Sequence, residues 1–350
     1  MQLSDTNAPT PSYSTPSVVS SPIRPSIEIN TTTPTPKEDG DAFDQNKRLG
    51  RGVNLGNALE APVEGEWGVV LQADFFQLIK GAGFNSVRLP IRWSAHAMEH
   101  VPYTIDSAFF ERVDWAVNQA LSRDLVVIIN MHHYEEIMVS PRSHKERFLS
   151  LWEQIAKHYQ DYPDNLFFEL LNEPNGSLVT RSWSSIAQEV IQAVRKTNPK
   201  RIIIVGPGNW NSINDLYDLQ LPSEDRNLII TVHYYSPFNF THQGAEWVEG
   251  SDAWLGTTWQ ANKAEKEAIL NDFNIASKWS QQNHRPIFLG EFGSYNKADM
   301  DSRARWTAFI ARTAEEFGFS WAYWEFCAGF GLYDRDSKQW NQSLLKALIP

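Results

Sequence analysis

The chain has 350 residues, of which 42% are hydrophobic and 21% charged, a composition typical of a soluble globular protein with a large core. Its net charge of -11 argues against nucleic acid or an anionic membrane surface as a partner, because both attract cationic proteins. The single cysteine, Cys327, excludes an internal disulfide and a cysteine-built metal site, and no apolar stretch approaches the roughly 20 residues of a membrane-spanning helix.

Residues 1–43 are expected to form a disordered linker, because Ser, Thr and Pro dominate the stretch from Thr6 to Pro36. Such a segment has too few apolar residues to offset the entropy of ordering it. The first residues, "MQLSDTNA", lack the basic and apolar regions of a signal peptide. Linkers of this composition are frequent on exported proteins, so we expect secretion, with a cytoplasmic location as the alternative. Residues 44–350 are expected to form one domain.

Short apolar runs alternate with amphipathic stretches throughout that domain. Most runs lack a polar–apolar alternation, as expected for parallel strands that are covered on both faces. Eight strands are predicted, at residues 50–57, 84–91, 125–133, 165–173, 201–209, 227–235, 285–293 and 320–327. Helical spacing is clearest in two apolar stripes, which consist of Phe148, Leu151, Trp152, Ile155 and Tyr159, and of Trp306, Phe309, Ile310, Thr313 and Phe317.

Eight strand-then-helix units predict a (β/α)8 barrel. A doubly wound open sheet is the alternative, but no G-x-G-x-x-G turn follows the first strand. Functional residues of such barrels lie at the C-terminal ends of the strands. The polar residues that cluster at those ends are Asn57, Arg88, His132, His133, Asn172, Glu173, His233, Tyr235 and Glu291, with Trp324 beside them.

Two glutamates lie at the ends of predicted strands, and these two strands face each other across the predicted barrel mouth. Glu173 ends "NLFFELLNE" and Glu291 lies in "RPIFLGEFG". Hydrolysis of a glycosidic bond uses one carboxylic acid to protonate the leaving oxygen and one carboxylate at the anomeric carbon. When the carboxylate is a nucleophile, the two groups lie about 5–5.5 Å apart and configuration is retained. The structural alternative for each glutamate is a salt-bridge partner or a rim charge.

The two glutamates would need opposite environments. Glu173 must stay protonated, so an apolar wall or a second negative group should raise its pKa. Glu291 must stay ionised, and Arg88 and Tyr235 are the candidates for holding it. A structural ion pair is the alternative role of Arg88.

Three histidines, His132, His133 and His233, raise the alternative of a zinc site, since imidazole is a common zinc ligand. Adjacent residues on a strand point to opposite faces, so only one of His132 and His133 is expected to face His233. Hydrogen bonding to sugar hydroxyls, or orientation of the glutamates, is the interpretation that we prefer. No metal or other cofactor is expected.

Aromatic residues supply candidate sugar platforms. Trp324 could support the sugar at the cleavage point, with core packing as its alternative role. The long connection at residues 234–259 is also a functional candidate, since irregular segments of that length usually are. Within it, His242, Glu246 and Trp247 could wall the leaving-group side, whereas Trp254 and Trp259 could only pin the loop to the body.

The motifs "FFELLNEPNG" and "IFLGEFGSYN" resemble the acid/base and nucleophile signatures of glycoside hydrolase family 5, a family of retaining (β/α)8 enzymes. The likeness extends through "RGVNLGNALEAP", "MHHYEE", "VHYYSPFNFTHQGAEWVEG" and "AYWEFCAGFGLYD", and covers nearly all of the chain after residue 47. It is strongest to thermophilic bacterial endoglucanases, some of which also cut mannans.

The resemblance implies that Glu173 is the acid/base and Glu291 the nucleophile. It implies that Asn172 binds the 2-hydroxyl of the sugar being cleaved and that Arg88 and Tyr235 hold the nucleophile. It further implies that His132 and His233 line the cleavage subsite and that Trp247 lies on the leaving-group side. The next sugars on the non-reducing side would bind to Asn57, Glu60 and His133.

The resulting hypothesis is a monomeric endo-β-1,4-glucanase that acts on cellulose, β-glucan or glucomannan. The alternatives are a β-mannanase or an enzyme of both activities, a non-catalytic carbohydrate-binding protein on the same scaffold, and a zinc hydrolase.

Overall fold

The structure, a computed structural model, describes residues 41–350. Residues 1–40, which hold most of the predicted linker, lie outside the described part of the chain. The expected domain boundary at residue 44 falls within the first helix, Ala42–Leu49. Across residues 41–350, no helix has the length and apolar character needed to cross a membrane.

Eight parallel strands pair in chain order and close into a barrel, with the last strand hydrogen-bonded to the first. The predicted (β/α)8 barrel is therefore confirmed. Each strand is shorter than its apolar run, because the C-terminal part of the run continues into the loops of the mouth. The strands are Arg51–Asn54 (β1), Ser86–Leu89 (β2), Val126–Asn130 (β3), Leu166–Glu169 (β4), Ile203–Val205 (β5), Leu228–His233 (β6), Ile287–Glu291 (β7) and Ser320–Tyr323 (β8).

Helices cover the outside of the barrel. Those that follow β1, β2, β3, β4, β6, β7 and β8 are Ala73–Gly81, Ser107–Leu121, Pro141–His158, Thr180–Arg195, Lys263–Asn283, Met300–Glu316 and Gln342–Leu348. Shorter helices are Glu135–Val139 and Phe238–Thr241, with 3-10 turns at Trp93–His96 and Ser251–Trp254. Two short strands, Tyr333–Asp334 (β9) and Gln339–Trp340 (β10), pair antiparallel after β8.

The connection between β5 and β6 departs from the predicted strand-then-helix pattern. Where a full helix was expected, the chain has only a four-residue helical turn, Gly208–Asn211, and a six-residue 3-10 helix, Ile213–Asp218. The segment that precedes it, "GPGNWNS", combines glycine, proline and asparagine, which favour turns over helices.

The inside of the barrel holds an apolar core that the first helix closes from below. Ala42 and Leu49 of that helix join a buried cluster formed by Val126, Ile128, Phe167, Ile202, Ile204, Ile229, Phe288 and Ala322. Asn46 fixes the helix in place, since its Nδ2 donates to the Ile287 carbonyl at 3.0 Å and its Oδ1 accepts from Ser320 Oγ at 2.6 Å. This end of the barrel is thus sealed by apolar side chains.

Toward the mouth, the same inward-facing positions become polar. Ile128 and Phe167 point inward, so Asn130 and Glu169, two residues further along β3 and β4, do so as well. Asn54, Arg88 and Thr231 occupy matching positions on other strands, and all five are buried. A buried polar layer therefore lies between the apolar interior and the candidate site.

Candidate active site

A shift in strand pairing brings Glu291 into the barrel mouth. The register between β6 and β7 pairs Val232 with Leu289 and then His233 with Glu291, so it skips Gly290. A β-bulge of this kind re-aims the side chains that follow it. Gly290 has to be small, because a Cβ there would lie 2.4 Å from Thr231 Oγ1. The bulge places Glu291 directly beside His233.

The Glu291 carboxylate is held by a cation and a hydroxyl. Arg88 Nη1 contacts Glu291 Oε1 at 2.8 Å, and the Tyr235 hydroxyl donates to Glu291 Oε2 at 2.9 Å. Arg88 also forms a bidentate pair with Glu169, at 2.6 and 2.7 Å, and donates to Asn54 Oδ1 at 2.8 Å. The structure therefore places Arg88 and Tyr235 where the sequence analysis expected the groups that hold Glu291.

Glu173 lies four residues beyond the end of β4, on a left-handed backbone turn. Its φ is +47°, a conformation that costs a non-glycine residue about 1–3 kcal/mol and that occurs most often at functional sites. Asn175 Nδ2 donates to the Glu173 carbonyl at 2.8 Å and supports the turn. The turn directs the Glu173 side chain, which is 25% exposed, toward His233 and Glu291.

The two carboxylates lie close together. One oxygen of Glu173, one oxygen of Glu291 and a ring nitrogen of His233 all lie within 4.8 Å of one another. Retaining glycosidases have carboxyl groups about 5–5.5 Å apart, whereas inverting enzymes need about 6.5–9.5 Å to admit water. The spacing therefore fits a nucleophile and an acid/base, without room for an intervening water.

The surroundings of the two groups differ in the way that these roles require. Burial raises the pKa of Glu173 to about 7, although Arg88 partly opposes the rise. Burial also raises the pKa of Glu291, but the Arg88 guanidinium opposes the rise and Tyr235 donates to the carboxylate directly. When the pair carries one proton, the better-compensated Glu291 keeps the negative charge and Glu173 holds the proton.

Asn172, Asn57 and Glu60 also line the mouth. The Asn172 Oδ1 accepts from Arg88 Nη2 at 2.7 Å, which leaves the amide NH2 for other partners. Both carboxylate oxygens of Glu60 accept backbone N–H groups, one from Asn57 and one from Ala58. Burial raises the pKa of Glu60 to about 7. Its carboxylate thus shapes the loop after β1, and its contact with sugar stays a prediction.

The prediction that His132 and His133 face opposite ways was wrong. Their rings lie 4.6 Å apart, because both follow the end of β3 and His133 has a φ of +50°, so the strand alternation no longer applies. His132 is stacked against Trp324 at 5.9 Å, and His133 meets the edge of Trp67 at 5.4 Å. Together they form one continuous wall of the mouth.

A second group of aromatic residues lies next to Tyr235, which donates to Glu291. His242 is stacked on Phe238 at 4.1 Å and meets Tyr235 edge-on at 4.9 Å. Trp247, which is 45% exposed, packs edge-on against Tyr295 at 4.9 Å, and Tyr295 donates to the Glu246 carboxylate at 2.6 Å. An exposed indole in this position is free to meet a sugar ring.

Two other tryptophans of the 234–259 connection have different surroundings. Trp254 packs edge-on against Phe238 at 6.0 Å, and Trp259 is buried in the main core. Neither presents the open face that Trp247 has.

The histidine trio that raised the zinc alternative is not brought together as a set of metal ligands within residues 41–350. Within residues 41–350, the group with suitable ligand spacing consists of Glu173, His233 and Glu291. In that group, His233 Nδ1 already contacts Glu173 Oε1 at 2.8 Å. Burial lowers the pKa of His132 well below its ordinary value, so this imidazole is neutral.

Sequence reasoning missed the residues that support the site from beneath, above all Glu169, Asn54 and Asn211. Glu169 could have been found, since it lies two positions after the inward-facing Phe167 and an inward-facing carboxylate needs a cation. Asn54 follows the same alternation on β1. Asn211 carries no such signal, because it belongs to an irregular turn.

A parallel (β/α)8 barrel with paired, unequally held glutamates at its mouth defines a glycoside hydrolase. Residues 50–329 match the family model "Cellulase (glycosyl hydrolase family 5)", and the chain belongs to this family.

The chain is 54% identical to the hyperthermophilic endoglucanase Cel5A of Thermotoga maritima, whose crystal structure it matches with a TM-score of 0.87 over 89% of this chain and 100% of that one. A complex of that enzyme with mannotriose matches at 53% identity and a TM-score of 0.87, over 88% of this chain and 100% of the other. Endoglucanase H of Acetivibrio thermocellus is 38% identical over 316 residues, which is 88% of this chain but 34% of that protein. The chain thus spans about a third of the length of this curated relative.

Proposed function

We propose that the chain is an endo-β-1,4-glucanase that cleaves internal bonds of cellulose or β-glucan with retention of configuration. The observation that carries this proposal is that a carboxylate oxygen of Glu173 lies within 4.8 Å of one of Glu291. Each carboxyl group also lies in the environment that its role requires. Family membership and the endoglucanase relatives support the substrate class.

The geometry supports a reaction in two steps. Glu291 attacks the anomeric carbon while Glu173 donates its proton to the leaving oxygen, so the glycosidic C–O bond breaks and a glycosyl ester forms on Glu291. Glu173 is then a carboxylate and takes a proton from water, which attacks the anomeric carbon and releases Glu291. The pKa of about 7 suits Glu173 to both steps at neutral pH.

Replacement of each glutamate tests these roles. Glu173→Ala should retain turnover on aryl glycosides with good leaving groups, where protonation matters little, and azide should raise that turnover by replacing water. Glu291→Ala should lose on the order of 10⁵-fold or more, because no covalent step remains. Comparable hydrolysis by Glu291→Ala would overturn the proposal.

A second candidate is activity on mannan as well as glucan, which is supported by the mannotriose complex of the Thermotoga maritima enzyme. Glucose and mannose differ in the orientation of the 2-hydroxyl, near Asn172, and one reversed hydroxyl in a tolerant site changes the free energy little. Hydrolysis of carboxymethyl cellulose, glucomannan and galactomannan, measured side by side, distinguishes the two. Activity on galactomannan alone would contradict the glucanase proposal.

The two remaining alternatives predict different outcomes. A non-catalytic binding protein would hold cellohexaose for hours without releasing new reducing ends. A zinc hydrolase would lose activity after exhaustive treatment with EDTA, whereas the proposed mechanism predicts undiminished activity.

We further propose export and a monomeric state, supported by the Ser/Thr/Pro-rich segment and by the absence from the sequence of an evident assembly motif. Activity in culture supernatant and light scattering of the purified protein test these two points.

A further inference from the structure

A left-handed backbone turn lies behind the acid/base. Asn209, Trp210 and Asn211 have consecutive φ angles of +52°, +57° and +55°. Residues other than Gly rarely adopt this conformation, and among them Asn tolerates it well. The Trp210 N–H donates to the carbonyl of Pro174, the residue after Glu173, at 3.2 Å. The turn is thus attached to the segment that carries the acid/base.

The turn presents the Asn211 side chain to His233. Asn211 is fully buried, and its Nδ2 lies 3.2 Å from His233 Nε2. Space for this amide depends on Gly206, because a Cβ at that position would lie 2.1 Å from Asn211 Oδ1. Among the residues of the described structure, Oδ1 has no hydrogen-bond partner, so the contact to His233 is the polar contact of this side chain.

This contact favours one of the two tautomers of the neutral His233 ring. An amide NH2 can only donate, so the Nε2 atom accepts. A neutral imidazole then has its proton on Nδ1, which lies 2.8 Å from Glu173 Oε1 and donates to it. The imidazole is neutral because burial lowers the pKa of His233 to about 4.

We propose that Asn211 is a positioning residue for the acid/base, which acts by holding His233 in the tautomer whose Nδ1–H donates to Glu173. The proposal rests on the proposed function of Glu173 and deepens it. That hydrogen bond stabilises the carboxylate that forms after proton donation and keeps it ready to take a proton from water.

The other groups around Glu173 and His233 would be the same in any Asn211 variant. The charged and titratable groups that face them are Glu291 on β7, Arg88 on β2, Glu169 on β4, His132, His133 and Glu135 after β3, and Tyr235 after β6. A pH-dependent change in an Asn211 variant would therefore come from His233.

Asn211→Gly removes the amide at a position where glycine accepts the positive φ. His233 can then carry its proton on Nε2 and accept a hydrogen bond from protonated Glu173, which raises the Glu173 pKa. The alkaline limb of the pH profile of kcat/KM should therefore shift to higher pH by about half a pH unit or more. Turnover limited by the second step should fall about tenfold, because the carboxylate is less favoured. Asn209→Gly, in the same turn but exposed, is the matched control and should leave the limb unchanged.

Asn211→Asp should shift the alkaline limb of the kcat/KM profile to lower pH. An aspartate accepts from Nε2–H and favours the imidazolium, whose positive charge is nearer to Glu173 than the new carboxylate and lowers the Glu173 pKa. Opposite shifts for the two variants are the expected result. Loss of activity with an unmoved limb in both, or shifts in one direction, would show a purely structural role and overturn the proposal.

The 15N chemical shifts of the His233 ring report the tautomer without any substrate, and a His233→Gln variant assigns them. In the unmodified protein, Nδ1 should carry the proton, and this preference should weaken in Asn211→Gly. An Nε2-protonated ring in the unmodified protein would overturn the proposal even if the enzyme is active. If the tautomer is as proposed but the protein hydrolyses no β-glucan, the proposed function fails instead.

Discussion

The interior of the barrel is filled by apolar side chains at one end and by charged side chains at the other. At the lower end, Leu49 and Ala42 of the first helix seal an apolar cluster, and the Asn46 amide is hydrogen-bonded to Ser320 and to the Ile287 carbonyl. At the mouth, Arg88 is fully buried between the carboxylates of Glu169 and Glu291. The lower end derives its stability from hydrophobic burial, whereas the mouth depends on mutual compensation of charge.

The difference shows why the mouth is the vulnerable region. An apolar side chain that is truncated leaves a cavity, and its neighbours can partly relax. A buried ion that loses its partner stays desolvated and uncompensated, which costs more. We therefore expect substitutions at the mouth to impair both stability and activity, and substitutions at the lower end to impair stability alone.

Arg88→Met should have the largest effect, because it leaves Glu169 and Glu291 buried without their cation. We expect the free energy of unfolding to fall by about 3–5 kcal/mol at neutral pH and kcat to fall on the order of 10³-fold. Urea denaturation and hydrolysis of carboxymethyl cellulose measure the two effects. A variant that stays within about 1 kcal/mol of the unmodified protein would contradict the view that charge compensation holds the mouth together.

Leu49→Ala tests the lower end. Loss of this fully buried side chain should reduce the free energy of unfolding by about 2–5 kcal/mol. Below the unfolding transition, kcat/KM should stay unchanged, since the helix packs against the apolar end of the barrel and not at the mouth. A selective loss of kcat at constant stability would show that the two ends are coupled.

The pH dependence of the unmodified protein sharpens the assignment at the mouth. Because burial raises the pKa of Glu173 to about 7, the general acid is protonated below that pH and ionised above it. We expect kcat/KM to fall about tenfold per unit above pH 7. On aryl glycosides with good leaving groups, Glu173→Ala should lack this limb, and persistence of the limb would assign it to another group.

Trp247→Ala should have the smallest effect, because Trp247 lies on the exposed rim of the mouth. Loss of an aromatic platform worth about 0.5–1.5 kcal/mol should raise KM for cellopentaose by up to about tenfold, with little change in stability. Tyr217, which is 57% exposed outside this aromatic group, provides the control, and its replacement by Ala should change neither quantity. Equal effects of the two variants would remove Trp247 from the proposed sugar contacts.

Much of the fold was predictable because it depends on local patterns. Unbroken apolar runs predicted all eight strands, and the run from Phe148 to Tyr159 predicted a helix that the structure contains. Local patterns were misleading between β5 and β6, where the repeated strand-then-helix units predicted a full helix that the structure lacks. The residues from Gly206 to Ser212 favour turns instead. The prediction that His132 and His133 face opposite ways was also wrong. Strand β3 ends before them, and the positive φ of His133 removes the alternation of side-chain direction.

The sequence by itself determined that polar residues gather at one end of eight strands and that Glu173 and Glu291 are among them, because strand direction and apolar periodicity are local properties. Only the tertiary structure decided how those groups are held. The bulge at Gly290, the inward position of Glu169 beneath Arg88 and the contact from Asn211 to His233 join segments far apart in the chain. Such contacts follow from barrel closure and from the need to compensate buried charge, neither of which any single stretch of sequence contains.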